Sequence, residues 1–401
     1  MIEFPTTPSD RQHRLQLLDQ LLQQSELLWR PQPFKEPRPE WCRKYPELSA
    51  ALLQLTDAEL ERFDRTPDSL LPWLSRYLPQ LDLLPQLTSL AELPDKRPVT
   101  VENRFFDAMP GRKRAQVEAF TGTLGEVSRP LLEWCGGKGF LGRLLGFVWQ
   151  QPVTTLEWDA ALCRAGEKLS QRGRVEQKFY IQDVLQSELP VILTNKHAVA
   201  LHACGGLHRQ LIRRGVSERT EMLDIAPCCY AVGVPDNYQP FCDFTQLKLR
   251  RDDLRLAVTE TVTAGRSEIR QRDTEMAWKL GFNRLRSALS GSIEYQPLKP
   301  IPKAWLKLGF TQYCLNLANR EGLELPVDID WQMYQEYGLM RQREVMRLLL
   351  VRHAFRRAIE LWLVLDMVCW LEQQGYRVRL GTFCARELTP RNIMISARRE
   401  L

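Results

Sequence analysis

Five short runs carry the residues able to do chemistry. The first is LLEWCGGKGFLG (131–142), where an apolar run ends in Glu133 and a turn holds Gly136, Gly137 and Gly139. Glycines let backbone approach a ligand closely and take conformations that other residues avoid. In a nucleotide-binding strand–turn–helix unit such a loop passes beneath the ligand. The GxGxxG spacing and the GxxxxGK[ST] phosphate loop are both absent, so an acidic start here suits a cationic ligand without phosphate. A purely structural glycine turn is the competing explanation. The second run, TLEWD (155–159), places Glu157 24 residues after Glu133, where a carboxylate can accept from both ribose hydroxyls. Asp159 is the fallback, and a surface carboxylate at a strand end is the bland alternative. The third, YIQDV (180–184), puts Asp183 where it could accept from an adenine amino group or cap a helix.

The fourth and fifth runs are LHACGGL (201–207) and DIAPCCY (224–230). His202, Cys204, His208, Cys228, Cys229 and Tyr230 could face one pocket. His and thiolate suit zinc, but neither HxC nor adjacent CC is a usual chelating spacing, so no metal is expected. A cysteine nucleophile with His202 as base is a second option. Pocket lining, with His202 orienting a ligand, is the plainest.

These runs need a scaffold. Seven apolar stretches read as strands: 130–137, 153–158, 178–184, 197–206, 221–230, 376–383 and 391–398. The first five alternate with helical patterns, which predicts parallel strands with helical crossovers. The acidic residues then all fall on the carboxyl edge, where open α/β sheets bind ligands. FRRAIELWLVLDMVCWLEQQ (355–374) is apolar on nearly every side and should be a buried helix. Gly375 caps it, and the last two strands follow. The expected fold is a Rossmann-like α/β sheet of seven strands, with an N-terminal helical domain and a helical insert before the last two strands. The expected bounds are a helical domain at 1–98, the core at 99–235 and 351–401, and the insert at 236–350. Thr56 and Glu59 predict a capping box at a helix start.

Composition narrows the partners. The chain has 401 residues, 26% charged and 44% hydrophobic, which excludes disordered and fibrous classes. No apolar stretch reaches the ~20 residues of a membrane span, and no secretory signal is visible at the start, so a cytoplasmic protein is expected. Ten cysteines, none in a CxxC pair, read as reduced and mostly buried. The net charge of +6 permits nucleic acid without demanding it. Arginines cluster at 341, 343, 347, 352, 356 and 357 with one intervening acid, Glu344. Ten basic and six acidic residues fill 246–286, with Trp278, Phe282, Trp305 and Tyr313 interleaved or close by. GRKR (111–114) adds three more cations. Arginine beside aromatics suits phosphate contact and base stacking on RNA, and a solvated or salt-bridged helix face is the alternative. ELTPRN (387–392) reads as a turn unless Arg391 and Asn392 reach the pocket.

As an ordered series, ExCGGKGFLG, LEWD, QDV, LHACGGL, PCCY and TPRN resemble a branch of class I S-adenosylmethionine-dependent methyltransferases. That branch carries a GxGKG … HxCG … CCY pattern and is distantly similar to eukaryotic tRNA 2′-O-ribose methyltransferases. The resemblance covers about 100–235 and 355–400. It implies S-adenosylmethionine as cofactor, held by Glu133, Cys135, Gly136, Gly137, Gly139, Glu157, Trp158, Asp183, Val184, His202 and Cys204. Gly205 joins the last two on the cofactor's reactive side, and Cys228, Cys229 and Tyr230 face substrate. His202, Lys138, Tyr230 and Cys229 are the catalytic candidates. The tRNA enzymes' N-terminal Cys/His zinc modules and a DPPY-type motif are absent from this sequence. The implied substrate is structured RNA, tRNA or rRNA, and neither DNA nor a membrane is an expected partner. A protein or small-molecule acceptor, or a non-catalytic RNA- or protein-binding module on a degenerate sheet, is the alternative.

Overall fold

In a computed structural model, residues 8–95, 101–186, 188–189, 191–259, 265–292 and 294–400 are described. The expected boundary at 98/99 lies outside them. All seven expected strands form: β1 (Leu131–Trp134), β2 (Val153–Glu157), β3 (Gln177–Ile181), β4 (His197–Cys204), β5 (Met222–Cys228), β6 (Tyr376–Thr382) and β7 (Ile393–Arg399). They make one sheet in the order β3-β2-β1-β4-β5-β7-β6. The first five are parallel, and β7 runs antiparallel between β5 and β6. This is the class I methyltransferase sheet. Every residue of β1 is buried, as a central parallel strand covered on both faces requires. The chain leaves β1 toward β2 and leaves β4 toward β5, so the order reverses between β1 and β4. A crevice at the carboxyl ends follows from that switch.

The long apolar helix is Arg356–Gln373, nearly all of it buried. Within it the buried Asp366 accepts hydrogen bonds from Tyr238 Oη (2.9 Å) and the amides of Phe241 (2.9 Å) and Cys242 (2.8 Å). A second buried acid, Asp224 of β5, is paired with His197 of β4 and with Arg398 of β7 at 2.7 Å. Burial by itself would raise the Asp224 pKa. Arg398 and His197 overcome that and hold the carboxyl well below the usual range. Three strands are thereby clasped by one ionised side chain.

The chain divides into compact units differently from the expected bounds. One unit holds 1–23, 84–263 and 356–401; the other holds 24–83 and 264–355. The N-terminal helix Pro8–Gln24 belongs with the sheet for a local reason. Asp19 accepts from the amides of Gln246 (2.9 Å) and Leu247 (3.1 Å) and from Trp362 Nε1 (2.9 Å). Leu93 likewise donates its amide to the Thr382 carbonyl of β6 (2.8 Å).

The second unit is helical. Its longest helices, Arg266–Ser290 and Trp331–His353, pack closely where a Cβ on Gly338 would lie 2.3 Å from the Ala277 carbonyl oxygen. The capping box forms as expected, with Thr56 N donating to Glu59 Oε2 (2.9 Å) and Glu59 N to Thr56 Oγ1 (3.2 Å). The aromatics expected to stack on RNA instead build this unit's core: Trp278, Phe282 and Tyr313 are buried against Phe310 and Leu317. The arginine run is engaged too. Arg341 bonds Glu344 and the Pro33 carbonyl (3.3 Å), and Arg347 bonds Asp57 (2.7 Å) and the Leu55 carbonyl (2.8 Å). Arg352 and Arg356 are buried, and Arg343 stays exposed. Helical spacing turned most of these cations away from solvent, and backbone carbonyls accept from Arg341 and Arg347.

Candidate functional site

The glycine loop leaves β1 at Trp134 and enters the helix Phe140–Trp149. Gly136 donates its amide to the Leu156 carbonyl of β2 (3.1 Å), and Gly139 donates to the Gly136 carbonyl (2.9 Å). Only glycine fits at 136, because a Cβ there would lie 2.5 Å from Thr155 Cγ2 and 2.6 Å from the Glu133 carboxyl carbon. Glu133 is therefore under the loop, not on it. Its carboxylate accepts from Thr155 Oγ1 (2.9 Å), Gln177 Nε2 (3.3 Å) and the amides of Leu141 and Gly142. Burial raises its pKa to about 7 despite those bonds. Gln177 also donates to the Gly139 carbonyl (3.1 Å). Glu133, Thr155 and Gln177 thus hold the loop's shape, and the last two were not singled out in the sequence. Cys135 takes a left-handed φ of 54°, and burial pushes its thiol up. Lys138 is half-buried on the loop.

Above the loop the backbone is open: a Cβ on Gly137 would meet nothing within 4 Å. Beside it stands Glu157, at the tip of β2 and 6% exposed. Its Oε2 accepts from the Gly137 amide (2.9 Å) and its Oε1 from the Asp159 amide (3.0 Å). Each oxygen keeps a further lone pair. Asp159 is occupied as the cap of helix Ala160–Arg172, accepting from Ala161 N (2.7 Å) and Leu162 N (3.2 Å). Trp158 is 75% exposed and Ile181, ending β3, is 61% exposed. Asp183 is exposed and folds back to accept from Leu185 N (3.0 Å), while Val184 is buried. Carboxylate, open glycine backbone and exposed apolar faces lie along consecutive strand ends. S-adenosylmethionine needs those donors and acceptors and no phosphate cradle, so the residues fit it.

On the other side of the switch point β4 ends irregularly between Leu201 and Cys204. His202 has a left-handed φ of 65°, and its Nε2 lies 3.2 Å from Gln116 Oε1. Burial, with Lys113 nearby, lowers its pKa to about 4, so it is neutral at pH 7. With Gln116 Oε1 as acceptor, Nε2 carries the hydrogen and Nδ1 is the free proton acceptor. Gly205 has no room for a side chain: a Cβ would lie 2.0 Å from the Val232 carbonyl oxygen. This contact seats the 229–233 loop against β4. The Sγ atoms of Cys204, Cys228 and Cys229 lie within 4.8 Å of one another. Cys228 also donates to the His202 carbonyl (3.1 Å).

Tyr230, expected to face substrate, turns inward. It is buried, its hydroxyl donates to Glu360 Oε1 (3.3 Å), and its ring stacks edge-on with His208. The left-handed turn at Cys229, with a φ of 46°, sends the chain back into the core and removes Tyr230 from the base candidates. His208 is also buried, bonded to the Ala203 carbonyl (2.9 Å). Two cations act at this edge: Arg391, offered for the pocket by its turn, and Lys113, read in the sequence only as part of a basic run. Lys113 interacts electrostatically with Glu133 and Cys228, and Arg391 with Cys229 and His202. Asn392 is structural, donating to the Cys384 carbonyl (2.8 Å).

Residues 112–232 match a protein family described as a methyltransferase domain. No curated protein matches the chain at a significant level. Among solved structures, the chain is similar to Pyrococcus abyssi tRNA (uracil-54, C5)-methyltransferase in complex with S-adenosyl-L-homocysteine. The identity is 15%, over 25% of each chain, at a TM-score of 0.22. It is also similar to coclaurine N-methyltransferase bound to N-methylheliamine and SAH (13% identity, 54% of this chain and 57% of that one, TM-score 0.26). A third is the human methyltransferase 10 domain containing protein (14% identity, 45% and 94%, TM-score 0.23). The chain thus spans a quarter and just over half of the first two structures' lengths. At such scores the fold rests on this chain's own strand order. Among the described residues no helix is long and apolar enough to cross a membrane. Residues 112–232, the stretch that matches a methyltransferase domain, hold the first five strands of the seven-stranded sheet and the glycine loop between β1 and β2.

Proposed function

We propose that this protein transfers a methyl group from S-adenosylmethionine to structured RNA, tRNA or rRNA. The observation that carries the catalytic half is the Glu157 carboxylate turned onto the open Gly137 backbone at the switch point. Bound there, the cofactor supplies a methyl group already activated by its sulfonium charge. The chain's task is then to bind, align and keep the site dry. Glu157 accepts from the ribose hydroxyls. Trp158 and Ile181 offer apolar faces to the adenine, and Asp183 accepts from its amino group. Glu133 acts through the loop as a positioning residue. His202 takes the proton of an acceptor hydroxyl at Nδ1, being neutral at pH 7 because burial depresses its pKa.

RNA as acceptor is supported by the net charge of +6 and by Lys138, Arg391 and exposed Trp158 on the same edge. The arginines of 341–357 lend it little, since Arg341, Arg347 and Arg357 are bonded to other residues of the chain and Arg352 and Arg356 are buried. Incubating the purified protein with tritiated S-adenosylmethionine and separate pools of tRNA, rRNA and protein tests the reading. Label entering an RNA pool is the expected result. Label in the protein pool or in a small-molecule fraction replaces RNA, and label nowhere, without cofactor binding, leaves a non-catalytic module.

A further inference from the structure

We propose that Cys204, Cys228 and Cys229 form a three-thiolate site for a thiophilic divalent cation of the zinc type, at the carboxyl end of β4 and β5. Sequence spacing hides this site. Neither HxC nor CC chelates by itself, but the parallel register pairs Cys204 directly with Cys228. Their Sγ atoms are 3.5 Å apart, and all three sulfurs lie within 4.8 Å of one another. Zn–S bonds of about 2.3 Å in tetrahedral geometry place sulfurs about 3.8 Å apart, so little side-chain movement is needed. The donor set is all sulfur, which excludes magnesium and calcium and selects zinc or a softer ion.

Backbone geometry is fitted to the cluster. Cys229 sits in the left-handed region at a φ of 46°, which brings its thiol back beside Cys228 although the two are adjacent in sequence. Cys228 is buried, and Cys204 and Cys229 are half-exposed, so an ion reaches the site from solvent and rests on Cys228. Three thiolates on a dication leave one net negative charge, and Lys113 and Arg391 are the cations close enough to balance it. The thiol protons leave to solvent on binding. Three protein ligands leave a fourth position open, the arrangement of a zinc ion that meets a water or a substrate. The site does not depend on the methyltransferase reading, and its test uses no methyl transfer.

The test is titration of the reduced, full-length protein with Co2+ and Zn2+ against a chromophoric chelator, with anaerobic controls. One equivalent of Co2+ should produce a thiolate-to-cobalt charge-transfer band, displaced by one equivalent of Zn2+. Cys229→Ser, at a half-exposed position, should keep the far-ultraviolet circular dichroism of the fold. It should weaken zinc binding by more than roughly ten-fold and cut the band by about a third, one ligand of three. Cys204→Ser should do the same. Wild-type binding no tighter than that of a variant with all three cysteines changed to serine overturns the proposal. So does a band that Cys229→Ser leaves intact.

Discussion

Replacing Glu157 with alanine should weaken S-adenosylmethionine binding by ~1.5–3 kcal/mol, roughly ten- to hundred-fold in Kd. A charged acceptor buried at the tip of β2 is worth that much to a hydroxyl pair that otherwise loses its water. The same carboxylate also receives the Gly137 and Asp159 amides, so its removal loosens the loop under the cofactor. Glu157→Gln separates the two effects, because the amide oxygen can still accept from one of these amides while the charge is lost. Calorimetric titration with the cofactor product, alongside a thermal melt, checks it. A folded Glu157→Ala protein with unchanged affinity removes Glu157 from the ribose assignment.

The largest stability effect should come from Asp224→Ala, at about 3–5 kcal/mol. Removing one partner of a buried pair leaves the other charge unmatched. Here Arg398 and His197 both lose their acceptor, across three strands of the sheet. Urea denaturation followed by tryptophan fluorescence measures the shift. An unchanged midpoint for the sheet unit would show that solvent or another acid replaces Asp224. Pairing the change with Arg398→Met should return part of the loss, since the stranded cation goes too. The pH sign is fixed by the depressed carboxyl. Its contribution is whole above the unfolded pKa of about 4 and disappears as the pH falls below it.

The central strands β1, β2, β4 and β5 were legible because each is a short apolar run closed by glycine, proline or acid, and a parallel sheet buries both faces of such a run. The buried helix 356–373 announced itself the same way. The glycine loop and Glu157 were legible from spacing, since the crossover length fixes which residues reach the carboxyl edge. What stayed hidden depends on contacts distant in sequence. Asp19 looks like any helix-surface acid until Leu247 and Trp362 arrive, 228 and 343 positions later. The arginines of 341–357 look like a basic face, because composition cannot show that Pro33 and Leu55 offer them carbonyls. Tyr230 differs from a substrate-facing residue only by the φ of its neighbour Cys229. Glu133 reads as a ligand contact, but four donors of its own chain surround it. Lys113 sits in a basic run and Arg391 in the TPRN turn, and only the fold brings both to the thiols.

Hydrogen exchange of the intact protein with and without S-adenosylhomocysteine tests the central claim, a cofactor held at the carboxyl edge across β1, β2 and β3. Saturable slowing should appear in 134–142, 157–159 and 181–186, around the glycine loop, Glu157 and Asp183. No saturable slowing in those three segments, or protection confined to the helices of 264–355, would contradict it.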